Sequence, residues 1–412
     1  MDPVRNPYAP GAGQRPPELA GRDGELASFD VLLERVARGR PERSVVLTGL
    51  RGVGKTVLLN ALRSAAVRRG WGTGKLEARP DQSIRRPLAG ALHLAVRELA
   101  GRHPDEAAHV LGVVKSFAQR APGAKGRQWQ PGIDVPAVVG RADSGDIEID
   151  LVELLTDVAG LAGSSGHGVA LFLDEMQDLA ADDVSALCAA CHEISQQDLP
   201  LVVVGAGLPH LPTVLSAAKS YSERLFRYAR IDRLDRAAAE IALRAPARGE
   251  DADFTDDALD AMYEVTGGYP YFVQAYGKAA WDAAPRSPIT ARDVAVAAPE
   301  ADHELAVGFF GSRYERATPA EREYLRAMAD LAAHDGQGAD AGSADATMDS
   351  SHTGDAAGGV PTAAVAESLG RPAQSLSPAR DGLLKKGLVY SGQRGKIAFT
   401  VPHFGRYLLA RE

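Results

Sequence analysis

Residues 49–56, Gly49-Leu50-Arg51-Gly52-Val53-Gly54-Lys55-Thr56, have the types and spacing needed to wrap a polyphosphate. They fit the pattern G-x-x-x-x-G-K-[ST]. Glycines at Gly49, Gly52 and Gly54 let backbone N–H groups curl inward, where a β-carbon would intrude. Lys55 supplies a point charge for the β- and γ-phosphates, and the Thr56 hydroxyl is suited to Mg²⁺. From Val57 the pattern turns helical, so the positive end of a helix dipole faces the anion. The expected ligands are ATP with Mg²⁺, and ADP after turnover.

A second chemical feature comes more than a hundred residues later. The apolar run 169–173 (VALFL) ends in Asp174-Glu175. Solvated acids are common at strand ends, but with a phosphate loop in the same chain the pair acquires a purpose. The run is expected to lie beside the loop strand. Asp174 then reaches Mg²⁺ directly or through water, and Glu175 polarises the attacking water as a general base. Asp178 is expected to cap the following helix.

These residues need a frame. Ser44–Thr48 (SVVLT) reads as a buried strand leading into the loop, and 57–69 as the helix leaving it. Residues 74–78, 169–173, 201–204 and 227–231 read as further strands, with helical spacing over 25–38, 83–100, 150–162 and 182–195. Continuous apolar strands alternating with helices imply an α/β fold, a parallel sheet covered by helices on both faces. From about Asp235 the pattern is helical. Residues 120–147, rich in Gly, Pro and charge, read as a long loop. The division expected is a flexible arm (1–17), an ATP-binding domain (18–234), a helical lid (235–300) and a C-terminal winged-helix domain (301–412). Within the last, 334–360 holds five Asp and no Lys or Arg, and reads as a disordered insertion.

Composition narrows the class. The chain has 412 residues, 45% of them hydrophobic and 24% charged, with a net charge of −8. The whole protein is therefore no general nucleic-acid binder by charge. Residues 361–412 differ: eight Lys/Arg stand against three acids, a local +5. That asymmetry points to an interaction surface. The N-terminus has no apolar signal region and no run approaches a membrane span, so a cytoplasmic, non-membrane protein is expected. The two cysteines, Cys188 and Cys191, form a C-x-x-C-H pattern with His192. It falls in an expected helix between buried strands, so both thiols are read as small core residues and not as a haem or metal site.

Three further blocks resemble the AAA+ superfamily, within it the origin-recognition/Cdc6-like and archaeal-type ATPases. Residues 19–26 (LAGRDGEL) look like the family's entry motif, whose backbone lies against adenine and includes Arg22. Residues 222–226 (SERLF), followed by Arg230-Ile231, resemble the block whose arginine projects into a neighbouring subunit's ATP. That resemblance implies Arg224 as a finger acting in trans and an ATP-dependent homo-oligomer. Residues 266–270 (TGGYP) resemble the family's lid, and the C-terminal segment its winged helix. Two departures matter. The family's polar sensor after the fourth strand is replaced by Gly205-Ala206-Gly207-Leu208, and its lid arginine is missing from residues 268–272 (GYPYF). Both losses imply a slow switch rather than a motor.

At the C-terminus, helix 362–369, a turn at Gly370-Arg371-Pro372 and helix 373–386 read as helix-turn-helix. Strands 388–390 and 396–400 then flank a basic tip. If the segment binds duplex DNA, Gln374, Ser375, Ser377 and Arg380 face bases, and Lys385, Lys386, Arg394 and Lys396 suit phosphates. The alternatives are a STAND-like signalling ATPase whose winged helix docks protein, and a module that holds nucleotide with negligible turnover.

Overall fold

In the computed structural model the described residues are all except 12, 102, 121–134, 339–358, 392–394, 402 and 412. They form two compact units.

The first comprises Leu19–Gly49 and Gly54–Asp232. Its elements are α1 (Asp23–Ala37), β1 (Ser44–Thr48), α2 (Lys55–Arg68), β2 (Gly72–Glu77), α3 (Arg85–Leu99), α4 (Pro104–Gln119), α5 (Ile147–Ser164), β3 (Val169–Asp174), α6 (Ala181–Gln196), β4 (Leu201–Gly207), α7 (Leu211–Ala218), α8 (Ser222–Leu225) and β5 (Phe226–Arg230). The five strands make one parallel sheet in the order β2-β3-β4-β1-β5. Every residue of β1, β3 and β4 is buried, as central parallel strands require. The α/β expectation holds, with one correction. The acidic strand β3 does not lie beside the loop strand β1, because β4 runs between them.

Helix α4 adds to the expected elements, and its signals are local: Pro104 in the first turn, followed by Asp105 and Glu106. It ends just before the expected 120–147 loop, of which 121–134 lie outside the described residues. The remainder is tied down. Asp150, fully buried at the start of α5, accepts from Ser144 N (2.8 Å), Ser144 Oγ (2.6 Å) and Arg85 Nη2 (2.7 Å). Burial would raise the Asp150 carboxyl, but the bonds from Ser144 and Arg85 outweigh it and hold it below its ordinary value.

The second unit comprises Met1–Glu18, Leu50–Val53 and Arg233–Glu412. Helices α9 (Arg236–Gly249), α10 (Asp256–Thr266), α11 (Pro270–Ala283) and α12 (Ala291–Glu304) pack around Phe254, Phe272 and Trp281. The N-terminal residues are not a free arm. Tyr8 is buried with its hydroxyl donating to Leu243 O at 2.5 Å, Asn6 Nδ2 donates to Lys278 O, and Trp281 Nε1 donates to Asp2 O. An aromatic anchor among Pro and Gly is easily passed over in a composition-based reading.

The chain continues through a π-helical turn (Leu305–Gly311), α13 (Ser312–Glu315) and α14 (Pro319–Gly338). Helix α14 reaches into the segment expected to be disordered; the rest of that segment, to residue 358, lies outside the described residues. Then come β6 (Val360–Pro361), α15 (Thr362–Ser368), α16 (Ala373–Lys385), β7 (Val389–Tyr390), β8 (Lys396–Phe399) and α17 (Phe404–Leu409). The three strands form an antiparallel sheet in the order β6-β8-β7. Phe310 stacks on Phe404 and Tyr407. Residues Leu50–Val53 count with this unit. Tyr271 N donates to Gly52 O at 3.3 Å and Arg51 N to Thr400 O at 3.0 Å, while Arg51 Nε reaches Gly387 O at 3.3 Å.

Candidate active site

The loop that follows β1 is anchored by the strands on either side. Gly49 N donates to Gly207 O at the end of β4, and Ile231 N, just past β5, donates to Thr48 O. Gly52 and Gly54 have φ of 84° and 89°, left-handed values that a side chain resists. Lys55 is buried in the first turn of α2 and donates to Gly49 O at 2.9 Å, so its ammonium folds back over the loop. Thr56 and Val57 follow in the same turn, half-buried.

Strand β3 delivers Asp174 and Glu175 to the same edge of the sheet, because parallel strands share their C-terminal end. Asp174 is buried and pairs in register with Glu77. Its carboxylate accepts from Glu175 N at 3.0 Å. Glu175 has φ 51° and ψ 41°, a left-handed conformation rare for a residue with a β-carbon. Strain of this kind clusters where a side chain must be aimed. A 3₁₀ turn, Met176–Asp178, follows, closed by Asp178 N donating to Glu175 O. The expected cap does not form: α6 begins after Ala180 without a side-chain cap.

Gln177 lies within this turn, with no local motif to single it out. Its Nε2 donates to Glu175 Oε2 at 2.6 Å, and its Oε1 accepts from Leu208 N at 3.1 Å.

Arg22 lies at the same end of the sheet as the loop, and Arg224 sits elsewhere. Arg22 is buried at the start of α1, and its guanidinium donates to Asp232 O at 2.6 Å and to Gly21 O. It pins α1 to the chain leaving β5. Arg224 is exposed in α8, before β5. Since Ser44 pairs with Phe226, Arg224 is at the end of the sheet opposite its own phosphate loop, where it lines a pocket with Arg43, Ser44 and Leu225.

The donors suit Mg²⁺ carried by a nucleotide. Asp174 and Thr56 are hard oxygen groups, and among the described residues no cluster of three or more His, Cys, Asp or Glu could hold a metal by itself. Mg²⁺ typically takes one or two protein oxygens plus phosphates. Cys188 and Cys191 are buried on α6; burial pushes the Cys188 thiol up to about 11 and raises Cys191 as well.

Known proteins resemble this arrangement. Residues 18–204 match the family model described as AAA ATPase domain, and residues 307–408 match one described as a domain of unknown function. No curated protein sequence matches the chain. Among solved structures, the Walker-type ATPase PABY2304 of Pyrococcus abyssi is 14% identical with a TM-score of 0.55, over 96% of this chain and 97% of that one. The Thermotoga maritima RuvB Holliday junction branch migration motor is 16% identical with a TM-score of 0.44, over 97% and 100%. Orc1 of Aeropyrum pernix, solved in complex with DNA, is 14% identical with a TM-score of 0.43, over 96% and 94%. The first of these supports a shared fold. Residues 18–204 thus match an AAA ATPase domain in sequence, on a fold similar to that of the Pyrococcus abyssi protein.

Proposed function

We propose that this protein is an ATP-binding, slowly hydrolysing switch whose nucleotide state governs a C-terminal winged-helix region that binds duplex DNA. The observation that carries the ATPase part is the convergence of Lys55, Thr56, Asp174 and Glu175 on one edge of the sheet. Gly49, Gly52, Gly54 and Lys55 hold the phosphates, and Thr56 and Asp174 hold Mg²⁺, which neutralises phosphate charge. Val57 continues the helix whose dipole faces them. Glu175 takes a proton from water as the water oxygen bonds to the γ-phosphorus. The bond from that phosphorus to the β–γ bridging oxygen breaks, leaving ADP and inorganic phosphate. In this reading Arg224, exposed at the end of the sheet away from its own loop, serves a neighbouring copy's nucleotide, so the homo-oligomer belongs to this proposal. The Arg22 guanidinium fixes the entry of α1, and in this reading the backbone there lies against the adenine.

The switch part is supported by the loop tip. Arg51 and Gly52 bond to Thr400 and Tyr271, so phosphate-induced ordering of that backbone has a route to the C-terminal residues. The DNA part is supported by the α15–turn–α16 pair followed by the β7–β8 hairpin, with Gln374, Ser375 and Lys385 exposed. A second reading, docking of a protein in the STAND-like manner, is favoured by charge pairing. Arg371 meets Glu323 at 3.1 Å, Arg380 meets Asp381 at 3.1 Å and Lys386 meets Glu321 at 2.5 Å. Three of the eight basic residues are thus already answered.

The test is anisotropy of labelled duplexes over a salt series, with ATP, with ADP and without nucleotide. Counterion release makes affinity fall steeply with salt if DNA is the partner, and the ATP and ADP curves should separate. No binding at low salt in any state would reject DNA and leave protein docking.

A further inference from the structure

The end of β4 lacks the polar residue that would face the reacting phosphate, and Gly205 and Gly207 there carry no side chain. A β-carbon on Gly205 would fall 2.0 Å from Met176 Sδ, and one on Gly207 would fall 2.7 Å from Gln177 Oε1 and 2.6 Å from Leu211 Cδ2. The space beside β4 is taken by the turn that follows Glu175. Within it the Gln177 amide spans two elements. Leu208 N–H can only donate, so Oε1 must be the atom facing it. That choice leaves Nε2 to face Glu175, where it lies 2.6 Å from Oε2. The backbone beyond β4 therefore sets the flip of the amide, and the amide sets the plane of the carboxylate.

We propose that Gln177 is a positioning residue for ATP hydrolysis, whose side chain orients the Glu175 carboxylate and fills the place at the end of β4 left by Gly205 and Gly207. The proposal rests on the ATPase reading above. A carboxylate on a strained, left-handed residue has several accessible rotamers, and a fixed donor selects one of them before the water arrives. Glycine at 205 and 207 is the condition for this arrangement, since either β-carbon would displace Met176 or Gln177. Asn at 177, one methylene shorter, would not span both partners.

The test uses the full chain and steady-state ATP turnover, with ATP affinity measured by fluorescent-nucleotide titration and folding by Tm. Gln177→Ala should lower kcat about tenfold or more, the scale of a lost orientation, while KM, nucleotide affinity and Tm stay near wild type. Gln177→Glu keeps the shape of the side chain and its acceptor toward Leu208 but replaces the donor with a like charge. It should lower kcat at least as far. A kcat for both variants equal to wild type would overturn the proposal. So would a loss in both that is matched by a falling Tm, which would mark Gln177 as a turn-former only. Wild type with no turnover above Lys55→Ala would overturn the ATPase reading and this proposal with it; wild-type turnover with unaffected Gln177 variants overturns this proposal alone.

Discussion

The sheet unit and the C-terminal segment both carry charged groups, and they treat them in opposite ways. In the sheet unit the charges at the loop, after β3 and at the start of α5 are buried or half-buried and aimed. Lys55 folds over its own loop, Glu175 is held by Gln177, and Asp150 sits among four donors at the start of α5. In the C-terminal segment the charges lie at or near the surface, and several find an acid nearby: Arg371 with Glu323, Arg380 with Asp381, Lys386 with Glu321. Buried groups have few possible geometries, so a short motif reports them well. Surface charges have many, and a count of them says little about what they are free to do.

The largest effect expected from this contrast is on stability, at the Arg85–Asp150 pair. Arg85 and Asp150 are 4% and 0% exposed at the side chain. Breaking such a pair from one side typically costs about 3–5 kcal/mol, because the other charge stays buried. Arg85→Met should lose that much in urea unfolding. The pH dependence follows from the sign of the shift. Asp150 is held below its unfolded value near about 3.9, so its contribution is full above that value and is lost as pH falls through the folded one. Asp183, which accepts from Ile84 N at 3.0 Å beside this pair, is raised by burial and runs the other way. Asp150→Asn should therefore flatten the acid loss of Tm relative to wild type. An unchanged acid limb would remove Asp150 from the account of the buried charges.

The next effect is at Lys55. A charged hydrogen bond is worth about 1.5–3 kcal/mol, so Lys55→Ala should weaken ATP about tenfold to a hundredfold in equilibrium titration. Wild-type affinity would mean that the loop's backbone suffices and that the buried lysine is structural.

Much of this was legible beforehand, for reasons that differ along the chain. The phosphate loop needs its glycines and lysine in fixed local order, and the acidic end of β3 follows an unbroken apolar run, so both could be read. The order β2-β3-β4-β1-β5 could not, because nothing in an apolar strand names its neighbour. The role of Gln177 was hidden for a similar reason. Its partner Leu208 lies 31 residues on, and the clue was an absence of side chains at Gly205 and Gly207. The N-terminal residues were misread because Pro and Gly suggested freedom while Tyr8 and Asp2 supplied the anchors.

The smallest effect concerns the surface side of the contrast. Lys385 is exposed, whereas Lys386 is bound to a buried Glu321. If the segment binds duplex DNA, Lys385→Ala and Lys396→Ala should each flatten the salt slope by about 1. Lys386→Ala should leave the slope alone and lower Tm instead. Equal slopes for all three would show that paired and unpaired lysines behave alike, and the contrast would fail there.

The central claim is that Glu175, aimed by the turn after β3, is the base for ATP hydrolysis. Single-turnover hydrolysis of bound ATP by wild type and Glu175→Gln tests it most directly. The account predicts a rate lower by about 10²–10⁴ in the variant, with ATP still bound as tightly as in wild type. Equal single-turnover rates would contradict it.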